Sequence, residues 1–209
     1  MNSYSDISSL SSLNSLKILM LDRNKIKNVD ALKDLKNLEE LTLIDNEITD
    51  ISSLGGLSNL KILGLSKNKI NSIDSLSSCK KLESLGLSGN NIQDISALGN
   101  LKNITDLSLG GNNITDVSVL SKLEKLEYLS LDSNDIQDCS PLKNLTNLTC
   151  LGLNNTTITD VSVLYNLKNL KKLYLGNTNI TEEQKSELKK ALPNCTIYFF
   201  VTLEERINP

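Results

Sequence analysis

The 209-residue chain contains no histidine and no tryptophan, and aromatic residues make up only 3% of it. Without histidine it lacks the commonest general base and the commonest metal ligand. Without tryptophan it lacks one of the side chains that most often anchor interfaces. No glycine-rich phosphate loop runs from a strand into a helix. The chain is therefore read as non-enzymatic, with no cofactor and no metal site. The formal net charge is −3, from 22 Lys and Arg against 25 Asp and Glu, so there is no basic footprint for nucleic acid. No apolar run approaches the ~18 residues that a membrane span needs, and no membrane insertion is expected. The opening "MNSYSDISSL" lacks the basic and apolar regions of a signal peptide. The compartment is left open between the cytoplasm and the exterior, for a secreted protein trimmed of its signal.

Cysteine is sparse as well. Cys79, Cys139, Cys150 and Cys195 form no CxxC pair. Cys79 and Cys139 fall where other parts of the chain carry Leu, Ile or Val, so both are expected as buried free thiols. That suits a reducing compartment or a disulfide-free bacterial exterior.

What the chain does contain is a repeat. Leu or Ile recurs at Leu16, Leu38, Leu60, Leu82, Ile104, Leu126, Leu148 and Leu170, with a spacing of 22 each time. Each copy reads LxxLxLxxNxI, as in Leu126-Leu129-Leu131-Asn134-Ile136. In the second half of the repeat, Leu32, Leu54, Leu76, Leu98, Leu120, Leu142 and Leu164 form a further column. The LxL alternation describes a short strand with its leucines on one side. One copy cannot bury that side alone, so copies must stack. The "DISxLxxL" half is too short for a long helix and predicts 3₁₀ or extended returns.

This pattern resembles the leucine-rich repeats. The wording "NNITDVSVLSKLEKLEYLSL" is similar to bacterial internalin repeats, and also to the 22-residue class in a regulatory subunit of protein phosphatase 1. The expected fold is α/β: a right-handed leucine-rich-repeat solenoid, or horseshoe, with a parallel sheet on the concave face and 3₁₀ or extended turns on the convex face. The expected organisation is a partial N-terminal repeat (1–15), eight repeats (16–180) and a C-terminal helix-strand cap and tail (181–209), all one domain. The resemblance implies a module that binds a protein or peptide. Internalins also carry a helical N-terminal cap and a following immunoglobulin-like domain, and neither is visible in these residues.

Two polar columns read as scaffold. Asn24, Asn46, Asn68, Asn90, Asn112 and Asn134 stand at the strand's turn, where an inward amide offers both donor and acceptor to the bent backbone. Thr156 and Thr178 end that column and are read as equivalents. The second column flanks the convex Ile/Val position with one acid per repeat, such as Asp50, Asp94 or Asp160, and is read as capping the 3₁₀ turns through their N2 or N3 amides. A calcium ladder is the other reading of stacked carboxylates, but the glycine-rich, multi-ligand loop such sites use is missing. At the end, Thr181 and Gln184 form a capping box before a helix that Pro193 stops. "CTIYFFV" follows as a last strand, with Tyr198, Phe199 and Phe200 assigned to packing. "ERINP" is read as a frayed tail.

Binding falls to the outward residues beside the strand leucines. Ile18, Met20, Ile44 and Ile62 form an apolar cluster near the N-terminal end. Gly64, Gly86, Ser108 and Ser130 form a small, flat middle. Tyr128, Cys150 and Tyr174 form a stripe near the C-terminal end, with Asp106 and Asp132 alongside. The competing assignment for each zone is ordinary solvated surface. The alternative function is a structural or self-assembling spacer in a larger protein, associating through its uncapped N-terminal edge.

Overall fold

The computed structural model describes residues 4–200; the "ERINP" tail lies outside them. Nine three-residue strands form one sheet in chain order: β1 Ile18–Met20, β2 Glu40–Thr42, β3 Ile62–Gly64, β4 Ser84–Gly86, β5 Asp106–Ser108, β6 Tyr128–Ser130, β7 Cys150–Gly152, β8 Lys172–Tyr174 and β9 Thr196–Tyr198. Every neighbouring pair is parallel. From β1 to β8 the register equals the repeat, so that Leu41 pairs with Leu63 and Leu63 with Leu85. Each strand returns through a 3₁₀ turn, such as Ser52–Gly56 or Ser96–Asn100. The result is a leucine-rich-repeat solenoid.

The core is a stack of identical layers. Leu41, Leu43, Ile48, Ile51, Leu54, Leu57 and Leu60, one from each apolar column, are all buried in a single rung, none more than 2% exposed. Burying each such side chain contributes about 1.5–3 kcal/mol before chain entropy is subtracted. Cys79 and Cys139 occupy these columns and are buried free thiols. Burial pushes the Cys139 thiol up to about 12, helped by the carboxylates of Asp138 and Asp160.

The Asn column bonds across rungs. Asn112 Oδ1 accepts from Ile92 N–H at 3.0 Å. Its Nδ2 donates to Leu109 O in its own rung at 2.9 Å and to Leu87 O one rung back at 3.0 Å. Leu87 O also accepts from Asn90, so each strand carbonyl is shared by two asparagines. Thr156 keeps one of these bonds, donating to Leu153 O at 2.7 Å. Thr178 does the same to Leu175 O. Thr is therefore not a full equivalent, because one hydroxyl cannot reach both rungs. The cross-rung ladder ends at Asn134, which still donates to Leu109 O.

Three scaffold features escape the sequence pattern. The first is the residue before each Asn or Thr of the column, which is left-handed in every rung. Its φ is 58° at Arg23, 69° at Gly89 and 53° at Asn155. Only Gly and Asn adopt this region cheaply, and the Arg, Lys, Asp and Ser at the other rungs conceal it. The second is another asparagine column at the ends of five of the returns, where Lys81 and Lys125 take the two remaining places. Asn37, Asn59, Asn103, Asn147 and Asn169 each donate to a carbonyl 23 residues earlier, at 2.7–3.0 Å. The third concerns the acid column, which sits one residue before the N-cap. Asp50 accepts from Ser52 N–H and Asp160 from Ser162 N–H, both at 2.8 Å. Those are the first amides of the turns, not the N2 or N3 amides expected. A 3₁₀ turn is tighter than an α-helix, which brings its first N–H within reach of a carboxylate two residues back.

The two ends differ. Helix α1, Glu182–Ala191, opens with the expected capping box between Thr181 and Gln184. Gln184 Nε2 also donates to Thr159 O at 2.8 Å, tying the helix to the last rungs. Leu188 and Leu192 are buried against the array. At the other end Leu13 is 43% exposed, whereas its counterpart Leu35 is fully buried. Leu16, Leu19 and Leu21 are only partly buried.

Candidate functional site

The solenoid consumes most side chains in a fixed task. The strand-face residues on either side of each buried leucine are the free choices, and there the sequence varies most between rungs. Four of the large hydrophobics exposed among the described residues lie on this face: Ile18 at 56%, Met20 at 62%, Ile62 at 40% and Tyr128 at 37%.

In the first zone Ile18, Met20 and Ile62 are exposed, but Ile44 is not. Ile18 and Ile62 lie two strands apart, both in register with Glu40. Ile44 is partly buried because it leans over Gly64, where an added Cβ would stand 3.3 Å from its side chain. At this end two glutamates each lie between two lysines, which leaves a positive surplus. Glu39 is clasped by Lys17 at 3.1 Å and Lys61 at 2.7 Å. Those lysines hold its carboxyl down at about 2. Glu47 lies between Lys27 at 3.7 Å and Lys69 at 3.5 Å.

The middle is an open floor. An added Cβ at Gly86 would meet only Ser66 Oγ at 3.2 Å and Gly64 Cα at 3.9 Å. Gly152 differs, because a Cβ there would collide with the Asp132 carboxylate. That carboxylate is committed: it accepts from Asn154 N–H at 2.7 Å and from Ser130 Oγ at 2.8 Å. Asp22 holds Ile44 N–H in the same way, at 2.7 Å. Asp132 therefore has a scaffold task besides its place beside the Tyr stripe. Asp106 is exposed and accepts from the neighbouring Thr105 hydroxyl at 3.2 Å.

The third zone is larger than expected. Tyr128 and Cys150 are paired neighbours on β6 and β7. Burial, chiefly, and the negative groups around it push the Tyr128 phenol up, with Cys150, Asp132 and Asp106 all contributing. Tyr174 stacks face to face on Tyr198, with centroids 4.6 Å apart and planes 8° from parallel. Tyr198, read from the sequence as a packing residue of the cap, does pack, but on Tyr174, and the register Tyr174↔Tyr198 sets the pair on the strand face. The signal was present, since Ile197 continues the strand-leucine column and leaves residue 198 facing outward. Phe199 does pack, partly buried on the core with the Lys185 and Lys189 ammonium groups 5.5 and 5.4 Å from its ring centre. Phe200 is exposed.

Comparison with known proteins agrees with this architecture. The family described as leucine-rich repeats (2 copies) matches in overlapping windows from 36–78 to 146–190. The crystal structure of internalin C2 from Listeria monocytogenes is 30% identical, with a TM-score of 0.85 over 91% of this chain and 83% of that one. An internalin, InlF, of the same organism is also 30% identical, with a TM-score of 0.65 over 95% of this chain and 72% of that one. A plant peptide hormone receptor, RGFR1, solved in complex with RGF2, shares the fold with a TM-score of 0.78 at 22% identity, over 95% of this chain and 34% of that one. No curated protein sequence matches. Nothing in these comparisons supports the resemblance to the phosphatase regulatory subunit.

Proposed function

Since the chain belongs to the leucine-rich-repeat family, with repeats of the internalin kind, we propose that it is a non-enzymatic module that binds a protein or peptide on its strand face. The family is typically non-catalytic. One observation carries the reading: the rungs spend their conserved-in-pattern residues on the core and the ladders, and the exposed large side chains Ile18, Met20, Ile62 and Tyr128 gather on this one face. The plant receptor of the same fold holds its ligand RGF2 in a complex, which supports recognition by such a solenoid. No helix among the described residues is long and apolar enough to cross a membrane.

The Tyr stripe supplies the anchors. Replacing Tyr128 and Tyr174 together by Ala should weaken partner binding about 100-fold, taking each as an anchor worth about 1–2 kcal/mol. The check is a quantitative pull-down from the native source, with circular dichroism confirming that the variant stays folded. Unchanged recovery would remove the stripe from the binding face.

A second reading has its own observation. Leu13, Leu16, Leu19 and Leu21 are less buried than their counterparts one rung on, which favours assembly through the N-terminal end. Light scattering across concentration should then show reversible dimers or larger species. A strict monomer at high concentration would count against it.

A further inference from the structure

The two halves of the strand face differ in chemistry. On the reading that this face binds protein, we infer that the partner presents an extended segment running along the solenoid, with large apolar side chains at one end and an arginine or lysine about five or six residues away, the basic side chain lying over Tyr128 beside Asp106.

The apolar end of the segment belongs at β1–β3. Ile18, Met20 and Ile62 are exposed there. Glu39 and Glu47 each lie between two lysines, and Glu40, in register between Ile18 and Ile62, enters no salt bridge among the described residues. Four lysines against three glutamates leave that end apolar contact area without an acidic surplus.

The charge balance changes at β4–β6. Among the described residues, Glu83, Asp106 and Glu127 enter no salt bridge, and all three are exposed. Asp106 pairs in register with the half-exposed Tyr128, Glu127 precedes it in the chain, and Glu83 stands one strand beyond Asp106. A cation there would gain both the carboxylates and the ring face. Arginine fits best, since its planar guanidinium can stack on the ring and bond a carboxylate in its own plane.

The spacing follows from the fold. From the middle of the apolar cluster on β2 to the ground between β5 and β6 is about 17 Å, at ~4.8 Å per strand. An extended chain covers that in about five or six residues at ~3.3 Å each. Ile44 covers Gly64, so the open floor between is at Gly86, where a backbone can approach closely. Beyond Tyr128 the charge reverses at Lys171 and Lys172. A second basic residue placed further toward β8 would be repelled.

The test uses the full chain and a displayed library of random linear peptides of about 12 residues. Selected peptides should carry Arg or Lys about five or six residues from a large apolar residue. Asp106→Asn combined with Glu127→Gln should weaken them about tenfold. Changing the peptide's basic residue to Gln should cost the same on the unmodified protein and nothing further on the variant. Both substituted positions are exposed, so folding is unaffected, which circular dichroism checks. Peptides that compete for the strand face but lack the basic residue, or show no preferred spacing, would overturn the inference and leave the binding-face reading intact. If the Tyr128→Ala/Tyr174→Ala variant retains every selected peptide at full affinity, both fall.

Discussion

Replacing Asn112 by Ala should lower the stability of the solenoid by about 3 kcal/mol, which for a chain of this size is a fall in melting temperature of roughly 6–12 °C. The side chain is 8% exposed and makes three short hydrogen bonds. Its loss does not affect all three partners equally. Leu87 O retains Asn90, and Leu109 O retains Asn134. Ile92 N–H bonds to Asn112 Oδ1 and has no such second asparagine. One orphaned buried amide costs about 1–3 kcal/mol, and two weakened carbonyl bonds add about 1 kcal/mol each at most. Asn112→Thr should lose less by at most about 1 kcal/mol, because Thr156 shows that a hydroxyl preserves the bond within the rung while Ile92 N–H stays orphaned. Urea unfolding of both variants checks the ranking. Equal losses for Ala and Thr would mean that the bond within the rung contributes little and that the cross-rung bonds carry the loss.

That comparison also bears on how far the molecule could be read from its sequence. Spacing of 22 is enough for the sheet, its register and the returns, because each rung buries its leucines only by lying on the next. The left-handed column was illegible for the opposite reason. Arg23, Asp45, Lys67 and Ser133 occupy it as well as Gly89 and Gly111, so no residue type marks it. The strand rungs impose the backbone there, and propensity yields to tertiary structure. In the candidate site, the apolar cluster and Tyr128 followed from alternation alone. Tyr198 was missed because it follows the helix, where the 22-residue count is broken. Asp132 illustrates a different limit: its place beside Tyr128 could be read, but its grip on Asn154 N–H requires a rung-to-rung distance that only the fold supplies.

The larger effect should come from the cap. Leu188→Asp puts a carboxylate where the side chain is fully buried between α1 and the last rungs. Removing the leucine alone would cost about 2–5 kcal/mol, and an unpaired buried charge costs more than α1 can return. The helix should therefore leave the array instead of accommodating the change. Its anchoring bonds go with it: Gln184 to Thr159 O and Lys168 to Ala191 O, the latter at 2.9 Å. So does the latch that holds β9, and with it the Tyr174–Tyr198 stack. Because each rung touches only its neighbours, the damage should spread inward by one or two rungs and then stop. Hydrogen exchange should show protection lost from α1, β9 and β8 and retained from β2 to β5. The alternative is uniform loss along the chain, which would mean that the array folds as one cooperative unit whose C-terminal helix is as essential as its centre. The exposed-face variant Lys190→Ala, which loses only a solvent-screened surface ion pair to Glu187, should leave the exchange pattern unchanged. On the local outcome, the apolar cluster and the Asp106–Tyr128 ground would survive in a capless chain, and the Tyr174–Tyr198 platform would not. Peptide binding by Leu188→Asp would then separate the contribution of that platform from the rest of the face.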